Sequence, residues 1–220
     1  MIIFLTFDVL NEDKSKTILD IGAGTGKYSC YFDQKEYKVT AVELVPHNID
    51  VFKSKNSNVQ IHQGNAVNLS MFEDNSFDVT LLFGPMYHLL KKEDKLKALS
   101  EAKRVTKPNG RIFISYYMND FAVITYGFIK GNIKNSIEEG RLDDNFHVVS
   151  KEDDLYSMVR IEDIDSFNPE IETAINAVDG IISCACAYDI AKSEIVCFYE
   201  SAVLTDDDII VLDNTLNFYF

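Results

Sequence analysis

The residues with the types and spacing for chemistry fall in the first ninety positions. Gly22, Gly24 and Gly26 alternate with Ala23 and Thr25 directly after the apolar run Ile18, Leu19 and Ile21, and Asp20 stands inside that run. A strand ending in such a loop can turn tightly and let a ligand approach the backbone where a side chain would otherwise stand. Roughly twenty residues further on, Glu43 closes a second apolar stretch, the place where nucleotide-binding α/β folds put an acid that accepts from ribose hydroxyls. In Gly64-Asn65-Ala66, the Asn65 amide offers both an acceptor and a donor. Tyr87 and His88 follow Gly84-Pro85; His88 has the pKa range of a general base, and Tyr87 suits a positioning group. Each has a plainer alternative: a steric turn at the glycines, a surface carboxylate at Glu43, an Asx turn at Asn65, a structural histidine at His88.

The elements that must position these residues are legible as alternating strands and helices. After the glycine loop, Tyr28, Tyr31 and Phe32 lie at i, i+3 and i+4, the spacing of a helix face packed on a sheet. Strands are predicted at Tyr37 to Leu44, Val59 to Gln63 and Ser76 to Phe83, with Pro46 opening the helix after the second. Leu96, Leu99, Ala102 and Val105 mark one face of a helix from Glu93 to Val105. Its other residues are strongly basic, and Lys91, Lys92, Lys95, Lys97, Lys103, Arg104 and Lys107 read as its solvated back. Lys107-Pro108-Asn109-Gly110 reads as a turn, and Arg111 to Tyr117 as a fifth strand.

The loop is G-x-G-x-G, with Lys27 where the nicotinamide-binding fingerprint G-x-G-x-x-G has further spacing and a third glycine. With Asp20 ahead of it, the loop resembles the first motif of class I S-adenosylmethionine-dependent methyltransferases. Glu-Ala-Lys-Arg-Val-Thr-Lys-Pro-Asn-Gly before the fifth strand resembles that family's corresponding segment, and the resemblance runs from Thr17 to Tyr117. It implies a Rossmann-like, doubly wound α/β fold with a mostly parallel seven-stranded sheet and an antiparallel C-terminal strand. It further implies S-adenosyl-L-methionine as cofactor, held by Asp20, Gly22, Ala23, Gly24, Thr25, Gly26, Glu43, Leu44, Gly64, Asn65, Ala66 and Phe83. Asn65 departs from the family's usual Asp. The Phe83 to Leu89 loop lacks the (Asp/Asn)-Pro-Pro-(Tyr/Phe) motif of many amino-group methyltransferases and looks more like those acting on small molecules. The expected function is methyl transfer to a small-molecule acceptor, with His88 and Tyr87 on the acceptor side. Two other readings stay open: an S-adenosylmethionine-binding protein without turnover, and an NAD-dependent oxidoreductase.

Composition sets the limits. At 220 residues, with a hydrophobic fraction of 46% and a charged fraction of 25%, the chain suits one soluble domain. No window reads as a membrane span or signal peptide, so a cytoplasmic protein is the default expectation. Cys30, Cys184, Cys186 and Cys197 have no zinc-type spacing and read as reduced thiols, and no metal is expected. The net charge is −14; residues 151–220 hold 16 acidic side chains and only Lys151, Arg160 and Lys192 as basic ones. Such a surface repels phosphate backbones, so no nucleic-acid partner is expected. Residues 17–117 are the expected cofactor-binding core. Residues 118–158, rich in aromatics, read as a lid over the acceptor or an extension of the core. In 159–220, a helix at Ile161 to Phe167, a sixth strand at Glu172 to Val178 and a buried helix at Ile181 to Ala191 are predicted. The last strand is placed at Glu194 to Tyr199 or Ile209 to Leu212.

Overall fold

The computed structural model describes residues 10–160, 162–164, 181–189 and 194–201, the last two stretches as backbone. Its centre is a parallel sheet of β1 (Thr17–Ile21), β2 (Lys38–Glu43), β3 (Gln60–Gln63), β4 (Phe77–Leu82) and β5 (Thr106–Ile114), in the order β3-β2-β1-β4-β5. All of β1 beyond Thr17 is buried, as a central strand covered on both faces requires. On one face α4 (Lys92–Val105) sets Leu99, Ala102 and Val105 against Leu19, Ile21, Phe77 and Leu82. On the other, α1 (Lys27–Asp33) contributes Phe32 to a cluster with Ile18, Val39, Val79 and Leu81, while α2 (Pro46–Lys53) packs Phe52 on Ala41. A single turn, α3 (Pro85–His88), follows β4.

The α/β class, the parallel sheet and the strand-helix alternation are those read from sequence; several details differ. The described residues give five strands in the sheet, and the sixth strand expected at Glu172 to Val178 lies outside them, as does Ile209 to Leu212. Lys107 to Gly110 is not a turn ahead of β5 but a bulge within it: Phe77 pairs with Thr106 and Val79 with Arg111, so the intervening residues face Asp78 alone. Asn109 takes a φ of 64° there, and Lys107 Nζ donates to Asp78 at 2.8 Å. The helix expected at Ile181 to Ala191 is instead a strand, β8 (Ile181–Asp189), antiparallel to β9 (Glu194–Ser201). Glu194 to Tyr199 is thus a strand as read, but it pairs with β8 rather than slotting into the main sheet. Of the helix read at Ile161 to Phe167, residues 162–164 are helical and the rest lies outside the described residues.

After β5 the chain makes an excursion that returns to its start. β6 (Tyr117–Met118) pairs in parallel with β7 (Met158–Val159), and between them lie α5 (Asn119–Ala122), a π-helical segment (Val123–Ile129) and α6 (Ile133–Glu138). Asn119, buried, donates to the Phe146 carbonyl and accepts from Val148 N–H, and Arg141 pairs with Asp154 at 2.7 Å.

The basic back of α4 is only partly solvated. Arg104 reaches under the connection between β3 and β4, donating to the Leu69 and Phe72 carbonyls at 2.9 Å each, to Asp74 at 2.7 Å and to Glu101 at 2.8 Å. A planar five-donor fork can serve all four partners; a lysine ammonium cannot. Arg104→Lys is therefore expected to lower unfolding stability by about 1–3 kcal/mol, the range for leaving buried hydrogen-bonding groups without a partner. Urea denaturation measures it, and a change within the scatter of ordinary surface substitutions would return Arg104 to the solvated face.

Candidate active site

The strand order reverses between β1 and β4, and in open parallel sheets ligands bind beyond the carboxyl ends of the strands at such a switch point. Two loops meet there. A Cβ at Gly22 would lie 2.6 Å from the Pro85 ring, and one at Gly84 would lie 3.0 Å from the Gly22 carbonyl, so the loop after β1 and the turn after β4 are in direct contact. Gly22 and Ala23 N–H groups donate to the Val42 carbonyl at 2.8 and 3.1 Å, anchoring the loop to β2. Ala23 and Gly26 are buried and Thr25 is exposed. Gly24 has a left-handed φ of 56°, and a Cβ there would meet no described atom within 4 Å. The apex of the loop is open.

Glu43 holds that apex. Its Oε2 accepts from Gly24 N–H at 2.8 Å, and its Oε1 accepts from Val45 N–H at 2.9 Å and Asn48 Nδ2 at 3.2 Å. The side chain is 5% exposed, which rules out the surface carboxylate weighed from sequence. An ionised carboxylate has about four acceptor positions. Three are occupied here, and the fourth is on Oε2.

Asp20 lies one layer deeper, 2% exposed between β1 and α1, and accepts from Ser29 Oγ at 2.5 Å. Burial pushes its pKa up from 3.8 to about 6, although the Ser29 bond pulls the other way.

At the ends of β2 and β3 a patch of apolar surface surrounds Gly64. Leu44, Val45 and Met71 are exposed, and Met71 Cε would lie 2.8 Å from a Cβ on Gly64. Ala66 is buried. Asn65 is exposed, with Oδ1 accepting from Val67 N–H at 3.2 Å, the Asx turn given above as its alternative.

Beyond β4, Phe83 is buried with Tyr28 edge-on at 5.1 Å. Tyr87 stacks on Tyr117 at 4.4 Å with 9° between planes, and His88 and Tyr156 complete the group, with ring centroids 4.7 Å from Tyr87 to His88 and 5.3 Å from His88 to Tyr156. His88 Nδ1 lies 2.9 Å from the Leu155 carbonyl. A carbonyl only accepts, so Nδ1 carries a proton, and in the Nδ1–H tautomer the lone pair is on Nε2. Ser157 ties the returning excursion to the same turn: its N–H donates to the Tyr87 carbonyl at 2.7 Å and its hydroxyl to Leu89 O at 3.0 Å. Lys95, read above as solvated, is 4% exposed and donates to Ser157 Oγ at 2.7 Å and to Met86 O. Burial draws its pKa down to about 8.

Residues 19–114 match the family model described as "Methyltransferase domain". The matched stretch holds the parallel sheet and the helices that pack on it, and is less than half of the chain. An uncharacterised methyltransferase-like protein of Schizosaccharomyces pombe is 33% identical over 112 residues, covering 50% of this chain and 42% of that protein. A demethylmenaquinone methyltransferase of Paenarthrobacter aurescens is 33% identical over 114 residues, 51% of this chain and 43% of that protein. The chain thus spans less than half the length of these relatives. The fold is shared with a SAM-dependent methyltransferase from Methanosarcina mazei at a TM-score of 0.59, with 17% identity over 89% of this chain and 93% of that one.

Within the matched stretch the structure brings Asp20, the glycine loop, Glu43, Leu44, Gly64 and Phe83 to the carboxyl ends of the strands, with Tyr87 and His88 beyond β4. Sequence reading missed Met71, Lys95, Tyr117 and Ser157, and it had Tyr156 only among the aromatics of the 118–158 segment. Of the missed residues, only the aromatic type of Tyr117 offered any signal. Among the described residues no helix is long and apolar enough to cross a membrane.

Because the folded-state pKa of Asp20 lies above its ordinary 3.8, this group favours the fold in its protonated form. That contribution is complete below about pH 4 and is lost as pH rises through about 6. An amide has no such proton to lose. Asp20→Asn should therefore gain on the parent between pH 4 and 7, by at most about 3 kcal/mol. Chemical denaturation of both proteins across that range checks it; a difference that stays constant with pH would show that Asp20 does not titrate differently on folding.

Proposed function

We propose that this chain binds S-adenosyl-L-methionine at the carboxyl edge of β1 and β2 and transfers its methyl group to a small-molecule acceptor beyond β4. The observation that carries the reading is the open apex at Gly24, with its N–H held by a buried carboxylate that keeps one acceptor position. The residues suit a nucleoside sulfonium. The remaining Oε2 position accepts one ribose hydroxyl, and a second hydroxyl reaches Oε1 if the Asn48 amide yields. Leu44, Val45 and Met71 offer apolar surface for the adenine faces, and Asn65 and Ala66 lie at its edge. Asp20, Gly22, Ala23, Thr25, Gly26, Gly64 and Phe83 shape the rest of the shelf.

The cofactor supplies an activated methyl on a sulfonium, so the protein's task is to align donor and acceptor. Pro85 against Gly22 fixes the acceptor turn relative to the donor loop. Tyr87 positions the acceptor, and the bare Nε2 of His88 takes a proton where the attacking group carries one.

S-adenosylhomocysteine is expected to raise the melting temperature, while NAD does not, since a ligand selective for the folded state stabilises it. An equal shift with NAD would sink the reading. Glu43→Ala should weaken S-adenosylhomocysteine binding at least about tenfold and, by leaving three donors without their acceptor, lower stability by about 1–3 kcal/mol. Calorimetric affinity equal to the parent's would remove Glu43 from the site.

A further inference from the structure

The aromatic group beyond β4 has a geometry that narrows the acceptor. Tyr87 and Tyr117 come from different elements, α3 and β6, yet lie nearly parallel at 4.4 Å, and Tyr156, next to β7, closes on both at 5.9 and 5.2 Å. One face of Tyr117 is covered by Tyr87, yet the residue stays 43% exposed, so the outer part of the stack is aromatic surface open to solvent. Rings that cage a cation stand around an open point; these are packed against one another and leave no such point.

The charges nearby point the same way. The groups acting electrostatically on Tyr87 are the phenols of Tyr117, Tyr156 and Tyr28, and on Tyr117 the phenol of Tyr156. Burial and these neighbours raise both phenols above their ordinary range, so both are neutral at physiological pH. At the turn itself Lys95 is engaged with Met86 O and Ser157 Oγ, and His88 holds Leu155 O through Nδ1. Asp20 acts on Tyr28, on the donor side. The two stacked phenols therefore bring no formal charge of their own to an acceptor.

We infer that the acceptor carries a neutral planar ring, which extends the Tyr87–Tyr117 stack on its open side. The inference rests on the donor site proposed above, since it assigns the stack to the acceptor half of that crevice. Ring-on-ring stacking is offset or edge-on and tolerant of the ring's substituents, so this surface selects a class of acceptor rather than one compound.

The test is calorimetry on the full chain with three probes of differing chemistry: 2-naphthol, cyclohexanol and tetramethylammonium, each with and without saturating S-adenosylhomocysteine. 2-Naphthol is expected to bind at least about tenfold more tightly than either other probe, the advantage of one stacked ring. Tyr117→Leu should abolish that preference and leave S-adenosylhomocysteine affinity within about twofold, whereas Tyr117→Phe should keep it. Tyr117 is partly exposed, so neither variant threatens the core. If S-adenosylhomocysteine binds but 2-naphthol shows no preference, or keeps it in Tyr117→Leu, the ring inference falls and the donor site stands. Tighter binding of tetramethylammonium would replace a neutral acceptor with a cationic one. If S-adenosylhomocysteine itself fails to bind, the donor reading falls and the inference falls with it.

Discussion

A carboxylate buried at the end of β2 has to be surrounded by donors, and at Glu43 those donors belong to the two segments that form the edge of the crevice. Gly24 N–H comes from the loop after β1; Val45 N–H and the Asn48 amide come from the start of α2. The charge is tolerable at this depth only because each oxygen accepts at least one hydrogen bond. In return, two adjacent βα junctions are held at fixed separation. The open shelf at Gly24 exists because a neighbouring strand supplies an anion to hold it.

The same economy organises the opposite side of the switch point. The turn after β4 presses Pro85 on Gly22, and the close approach of Gly84 to the Gly22 carbonyl leaves no room for a side chain at either glycine. Above it, the excursion from Tyr117 to Val159 returns to its origin through a two-residue parallel ladder. The aromatic group is assembled where these pieces converge, from residues as far apart in the chain as Tyr87 and Tyr156. Packing there desolvates the phenols of Tyr87 and Tyr117 and holds both above their ordinary range.

What the sequence revealed, and what it concealed, follows from how local each constraint is. The glycine loop, the buried strands and the acid closing β2 announce themselves within a few residues, because positive φ, alternation of burial and strand ends are written locally. Lys95 and Arg104 misled, since their neighbours on α4 are charged and nothing nearby announces that Ser157 or Leu69 will meet them. Met71 carried no signal, because its position over Gly64 depends on Arg104 holding the Leu69 to Asp74 connection. At Ile181 to Asp189 an apolar run with alanine and cysteine suits a helix or a strand equally, and only its antiparallel partner at Glu194 to Ser201 decides. Lys107 to Gly110 has turn chemistry, and it does turn, but as a bulge whose flanks continue one ladder.

The seam between the excursion and the turn after β4 is made largely of main-chain atoms. Ser157 addresses the carbonyls of Tyr87 and Leu89, Lys95 that of Met86, and His88 that of Leu155. Carbonyls are the same whatever side chain accompanies them. A lineage could therefore exchange Tyr87, Leu89 or Leu155 without undoing the attachment, and alter the surface met by an acceptor while the shelf at Gly24 and Glu43 stays as it is. Here the separation of an inheritable half from an adjustable one is built into the choice of hydrogen-bond acceptors.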